Sequence, residues 1–181
     1  MKGLLLYSNI AEEVETVGGT ALLRRAGFEI VTATFEKDKK IKCVYGTELE
    51  ADYFVSELNL DEFDFLVIPG GNYVVRTYEK EENIKNLVIE FNKKNKLIAA
   101  ICAGPMFIGH AGLLKDKRYT LFPGCEREEF GGKRQQYHKV VRDGNIITAR
   151  SVAAVVLFVN EIVKYLKGYE LAEEFMRKIY Y

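Results

Sequence analysis

The residue whose type and setting best suit chemistry is Cys102. It closes the apolar run Leu97-Ile98-Ala99-Ala100-Ile101, and Ala103-Gly104-Pro105 follows at once. Small residues after a buried strand permit a sharp strand-to-helix elbow, which lifts a nucleophile clear of its own backbone. A helix starting at Pro105 would set its positive dipole end near the sulfur and favour thiolate. A cysteine at the end of a buried strand can equally be a small hydrophobe, so its neighbours must decide. Pro69-Gly70-Gly71-Asn72 ends a second apolar run. It reads either as a strand-ending turn or as a loop whose bare N–H groups approach a ligand oxygen. Glu12-Glu13-Val14-Glu15 reads either as an acidic first helical turn or as the source of one carboxyl aimed into a pocket.

Other chemistries have little support. The three cysteines, Cys43, Cys102 and Cys125, contain no CxxC pair, and the two histidines, His110 and His138, stand far apart. That argues against a disulfide framework and against a transition-metal centre; no metal and no cofactor is expected. Lysine plus arginine equals aspartate plus glutamate at 26 each, a net charge of zero. Nucleic-acid binding needs a cationic footprint, and no basic block supplies one. The N-terminal apolar run, Gly3 to Tyr7, is too short for a signal-peptide core or a membrane span, so no membrane association is expected and the cytoplasm is the default compartment.

The elements that must position these residues alternate in type. Strand patterns occupy Gly3–Ser8, Glu29–Phe35, Phe63–Ile68 and Lys96–Ile101. Helical patterns occupy Glu12–Ala26, Glu81–Lys94, a segment from Pro105, Val152–Leu166 and about Glu170–Ile179. Gly18-Gly19 predicts a break or a tight contact within the first helix. Asp143-Gly144 inside His138–Arg150 predicts a hairpin. Residues 1–181 read as one α/β domain: a three-layer sandwich with a mainly parallel central sheet flanked by helices, flavodoxin-like or Rossmann-like, carrying a nucleophile elbow. Ligand sites in such sheets lie beyond the carboxyl ends of the strands. The loops Asn9–Glu15, Pro69–Asn72 and Cys102–Pro105 have that position.

Four segments in this order, Ala11-Glu12-Glu13-Val14-Glu15-Thr16-Val17, Arg24-Arg25-Ala26-Gly27, Pro69-Gly70-Gly71-Asn72 and Ala99-Ala100-Ile101-Cys102-Ala103-Gly104-Pro105, resemble the DJ-one/ThiJ/PfpI superfamily, nearest its ThiJ-type branch. The likeness runs from Lys2 to about Leu166. It implies Cys102 as nucleophile and Glu15, not Glu12 or Glu13, as a protonated partner that hydrogen-bonds the sulfur, lowering the thiol's pKa and raising the carboxyl's. It implies the Gly71 and Ala103 amides as oxyanion donors, with Gly70, Asn72, Phe122 and Arg150 on the pocket rim. Cys43 resembles a second family cysteine but reads more simply as a buried small residue, and Cys125 reads as incidental. Phe122 stands where some members have histidine, Tyr45 takes the place of a family arginine, and Ser151-Val152-Ala153 replaces a Gly-Pro-Gly rim. The resemblance implies a cofactor-independent glyoxalase or deglycase acting on a small carbonyl compound such as methylglyoxal, as a homodimer. The alternative is a non-enzymatic oxidative-stress sensor or chaperone with an oxidisable Cys102. A thiol peptidase or amidotransferase-like hydrolase ranks last, because Ala103 stands where the peptidase-like branch has its histidine.

Overall fold

Alternating side chains along the central strands enter two separate cores, which makes the layered architecture necessary. Leu4 and Leu6 face one core while Leu5 and Tyr7 face the other; Leu66 and Ile68 oppose Phe65 and Val67 in the same way. A strand with both faces apolar must be covered on both. In the computed structural model, which describes residues 1–181, the strands are β1 (Lys2–Leu6), β2 (Glu29–Thr34), β3 (Lys40–Lys42), β4 (Glu48–Glu50), β5 (Tyr53–Phe54), β6 (Phe65–Ile68), β7 (Leu97–Ile101), β8 (Arg118–Tyr119), β9 (Lys133–Arg134), β10 (Val140–Asp143) and β11 (Ile146–Ala149). The helices are α1 (Gly19–Arg25), α2 (Asn72–Thr77), α3 (Glu82–Lys93), α4 (Pro105–His110), α5 (Val155–Lys167) and α6 (Tyr169–Lys178).

Seven strands form the central sheet in the order β10-β11-β7-β6-β1-β2-β5. All neighbours are parallel except the β10–β11 pair. Helices α2, α3 and α4 cover one face through Val74, Leu87, Val88 and Phe107; α1, α5 and α6 cover the other through Leu23, Phe158, Ile162 and Phe175. The fold is therefore the expected α/β sandwich with a mainly parallel central sheet. No helix is long and apolar enough to cross a membrane.

One local expectation is corrected. Gly18-Gly19 neither breaks the first helix nor makes a tight contact. A π-helical turn, Val14–Gly18, runs directly into α1, with both glycines in right-handed helical conformation at φ −63° and −58°. Nothing lies within 4 Å of a Cβ built at Gly19. Each glycine costs the helix about 1 kcal/mol, and buried Thr16, Thr20 and Leu23 hold the segment against the sheet regardless. The hairpin forms as expected, Asp143 pairing with Ile146 across the two-residue turn Gly144-Asn145. The short pairs β3–β4 and β8–β9 and the six-residue α2 were not visible in the sequence pattern, being too short to show a period.

Candidate active site

The sheet brings the three expected loops together. Glu12 N–H donates to Gly70 O at 3.1 Å, and Ala11 bridges to Gly71, tying the loop after β1 to the loop after β6. Cys102 N–H donates to Ala149 O and Phe122 N–H to Cys102 O, both at 2.9 Å, fixing the turn after β7 from two sides. Cys102 needs this support. Its φ is +61°, a left-handed conformation that L side chains avoid and that persists only where surrounding structure enforces it. Gly104 makes the turn possible: a Cβ there would stand 2.6 Å from Ile68 O and 2.9 Å from Ile101 O.

Glu15 lies on the π-helical turn and is 2% exposed. Its Oε2 accepts the Gly70 N–H at 2.8 Å, while Oε1 is buried without a hydrogen-bond partner. A Cβ at Gly70 would stand 2.5 Å from Cys102 Cβ, 2.8 Å from Glu15 Oε2 and 2.9 Å from Ala103 N. The sulfur-bearing carbon, the carboxyl and the Ala103 amide therefore all crowd one point, which only a glycine leaves open. The other two acids of the cluster diverge. Glu12 Oε2 accepts the Glu15 N–H at 2.8 Å, and Glu13 turns away to accept the Tyr45 N–H at 2.7 Å.

Burial, with the Glu12 charge, pushes the Glu15 carboxyl up to about 7 against the opposing Gly70 N–H and the contact with Cys102. Cys102 also moves up. Burial is the main cause and the Glu15 carboxylate adds to it, with the Ala103 N–H opposing. This direction is opposite to the lowering expected beside a protonated Glu15. A carboxylate without its proton repels a thiolate, and only a protonated Glu15 could donate to one. The resting pair is a thiol beside a carboxyl that titrates near neutrality.

Cys102 and Glu15 open onto a cavity of about 370 Å³, also lined by Glu12, Val44, Tyr45, Gly71, Asn72, Val75, Ala103, Phe122, Pro123, Gly124, Cys125 and Val152. Neither the Gly71 nor the Ala103 amide donates to a backbone carbonyl. Of the expected rim residues, Asn72 and Phe122 line the cavity, and Tyr45 and Val152 line it as well. Two rim residues do not. Gly70 is buried behind Cys102 and Glu15. Arg150 serves the backbone before β10 instead, its N–H donating to Lys139 O at 2.9 Å and its guanidinium to Gln136 O at 3.2 Å. Cys125 is not incidental to the site: it is buried, and it shares the cavity with Cys102. Its place in the turn Phe122-Pro123-Gly124-Cys125, next to an expected rim residue, was the available signal. Cys43 is buried in the second core, its thiol pushed up to about 11 by burial and by Glu13 and Glu12. The lining holds two carboxyls and no lysine, arginine or histidine.

The sequence profile described as the DJ-1/PfpI family matches residues 1–165. A relative from Pyrococcus furiosus named deglycase PfpI is 33% identical over 168 residues, covering 92% of this chain and all of that one. The crystal structure of Drosophila melanogaster DJ-1beta superposes with a TM-score of 0.88 at 27% identity, covering 98% of this chain and 96% of that one. A structure of Toxoplasma gondii DJ-1, described as oxidized, gives a TM-score of 0.87 at 26% identity, over 99% of this chain and 98% of that one.

Proposed function

This chain belongs to the DJ-1/PfpI family, and from that premise we propose that it is a cofactor-independent enzyme converting small 2-oxoaldehydes such as methylglyoxal, or their adducts, to 2-hydroxy acids. The observation that carries the reading is a strained cysteine facing a buried carboxyl that titrates near 7, in a cavity of metabolite size. An acid–base group is most effective when its pKa lies near the working pH.

Cys102 Sγ adds to the aldehyde carbon while its proton passes to the Glu15 carboxylate. Glu15 returns that proton to the aldehyde oxygen, which becomes the hydroxyl of a hemithioacetal, steadied by the Gly71 and Ala103 amides. Glu15 then moves a proton from the sulfur-bearing carbon to the neighbouring oxo carbon, through an enediol, while the hemithioacetal hydroxyl proton passes to the oxo oxygen. The product is a thioester of a 2-hydroxy acid, which water cleaves to release the acid and the Cys102 thiol. With no histidine in the cavity, the proton transfers fall to Glu15, the carboxyl beside Cys102. The deglycase name of the Pyrococcus furiosus relative supports the class of chemistry.

Cys102→Ser and Glu15→Gln are expected to abolish methylglyoxal consumption, the second by about 10²- to 10⁴-fold, the range for losing one general acid–base. Unchanged turnover in either variant, measured by dicarbonyl loss and lactate formation, rejects the mechanism. A second reading is an oxidative-stress sensor in which the same thiol is the oxidised group. It is favoured by the oxidised state of the Toxoplasma gondii relative. Full dicarbonyl inactivity of the wild type, with selective peroxide oxidation of Cys102, would favour it over catalysis.

A further inference from the structure

Cys102 shares its cavity with a second thiol that the proposed reaction does not use. Cys125 ends the turn Phe122-Pro123-Gly124-Cys125, closed by its own N–H donating to Phe122 O at 3.0 Å. The other end of that turn is anchored to the elbow, because Phe122 N–H donates to Cys102 O at 2.9 Å. The first and last Cα atoms of such a turn stand within about 7 Å. One hydrogen-bonded turn thus separates the two cysteines through space, although they are far apart in the chain. Gly124, at φ +90°, takes the left-handed conformation that lets the turn close, and Cys125 lines the cavity at its end. Cys43 belongs to the core against which Cys102 packs but lines no part of this cavity.

We propose that Cys125 is a resolving thiol for Cys102, so that a hydroperoxide entering the cavity drives the pair to an intramolecular Cys102–Cys125 disulfide and stops over-oxidation. The inference rests on Cys102 being the reactive thiol of the proposed function. In the first step Cys102 Sγ, losing its proton to Glu15, attacks the distal peroxide oxygen. The O–O bond breaks, Cys102 becomes a sulfenic acid, and the peroxide leaves as water or an alcohol. In the second step Cys125 Sγ attacks that sulfur. The S–S bond forms, the S–O bond breaks, and the hydroxyl leaves as water with the Cys125 proton. The cysteines lose two electrons in all, and the peroxide gains them. A disulfide is reversible by a dithiol, whereas a sulfinic acid is not. Capture by Cys125 therefore keeps the nucleophile recoverable.

The test exposes the whole protein to a small excess of hydrogen peroxide, quenches it, unfolds the chain and counts alkylatable thiols by intact mass. Wild type is expected to fall from three free thiols to one, with a loss of two hydrogens, a Cys102–Cys125 cross-linked peptide and full recovery of thiols by dithiothreitol. Cys43→Ser is expected to fall from two to none. Cys125→Ser is expected to gain two oxygens on Cys102 that dithiothreitol does not remove. Wild-type protein that gains two oxygens on Cys102 while Cys125 stays alkylatable overturns the inference and leaves Cys102 reactive. A Cys102 that peroxide does not touch overturns the inference together with its premise.

Discussion

The proposed chemistry turns on one carboxyl that the fold buries almost completely. Glu15 accepts a single N–H, from Gly70, and leaves Oε1 unpartnered, so burial outweighs hydrogen bonding and the carboxyl rises to about 7. The consequence for stability has a definite sign. In the unfolded chain the group loses its proton near the ordinary value of 4.5; in the folded chain it keeps the proton up to about 7. Between those pH values the folded state binds more protons, so stability falls as pH rises and is lowest above the folded value. The shift corresponds to roughly 3 kcal/mol. Glu15→Gln should remove this dependence: urea unfolding of the two proteins should diverge in favour of the variant as pH rises from 4.5 to 8. Wild-type turnover should run the other way, rising through about pH 7 as the carboxyl becomes the base that accepts the Cys102 proton. A flat activity profile across that interval would remove Glu15 from the proposed role. The motif predicted that Cys102 and Glu15 meet, and both line one cavity, but a motif reports which groups meet and not which one is charged when they do.

At the scale of elements, glycines of identical appearance in the sequence differ completely in what they do. Gly104 sits where a side chain would meet Ile68 O at 2.6 Å and Ile101 O at 2.9 Å, both backbone atoms at the ends of β6 and β7. Neither can swing aside, so Gly104→Ala must part the strands or distort the elbow. An unfolding loss of about 1–3 kcal/mol is expected, with an altered rate of Cys102 alkylation as the local readout. Gly19 faces nothing and is already helical at φ −58°; Gly19→Ala should stabilise the protein by about 0.5–1 kcal/mol in the same measurement. Equal effects of the two substitutions would contradict this account of the elbow. These elements also mark how far the sequence could be read. β1, β2, β6, β7, α3, α5 and α6 were legible because each is long enough to show alternation or a helical stripe. The π-helical turn was not. It inserts one extra residue's worth of rotation just where Glu15 must point at the sheet, and hydrophobic spacing over five residues cannot register that. Arg150 was misplaced for a related reason: its position follows β11 closely, but its side chain returns to Gln136 rather than crossing to the cavity.

Across the whole molecule, the site lies where the winding of the sheet reverses. From β1 the chain moves outward to β2 and β5, then returns to β6 on the other side of β1 and continues to β7. Connections leaving β1 and β6 therefore depart to opposite faces and leave a crevice between them, the usual position of a ligand in an open parallel sheet. The fold supplies this crevice with charge of one sign only. The chain as a whole is neutral, with 26 residues of each charge, so long-range attraction favours neither cations nor anions. The cavity lining contains Glu12 and Glu15 and no basic side chain. Tyr45, at the rim position where the family resemblance placed an arginine, adds none. A substrate bearing its own carboxylate must then enter against like charge, at a cost of at least about 1.4 kcal/mol, or tenfold in kcat/KM. Methylglyoxal and glyoxal should accordingly be used at least about tenfold better than glyoxylate. Glu12→Gln should narrow that ratio without any new contact, and high salt should narrow it less than the substitution does, because the groups are partly shielded from solvent. Glyoxylate turnover equal to that of methylglyoxal at low ionic strength would show that the two carboxyls do not govern which carbonyl compounds the crevice admits.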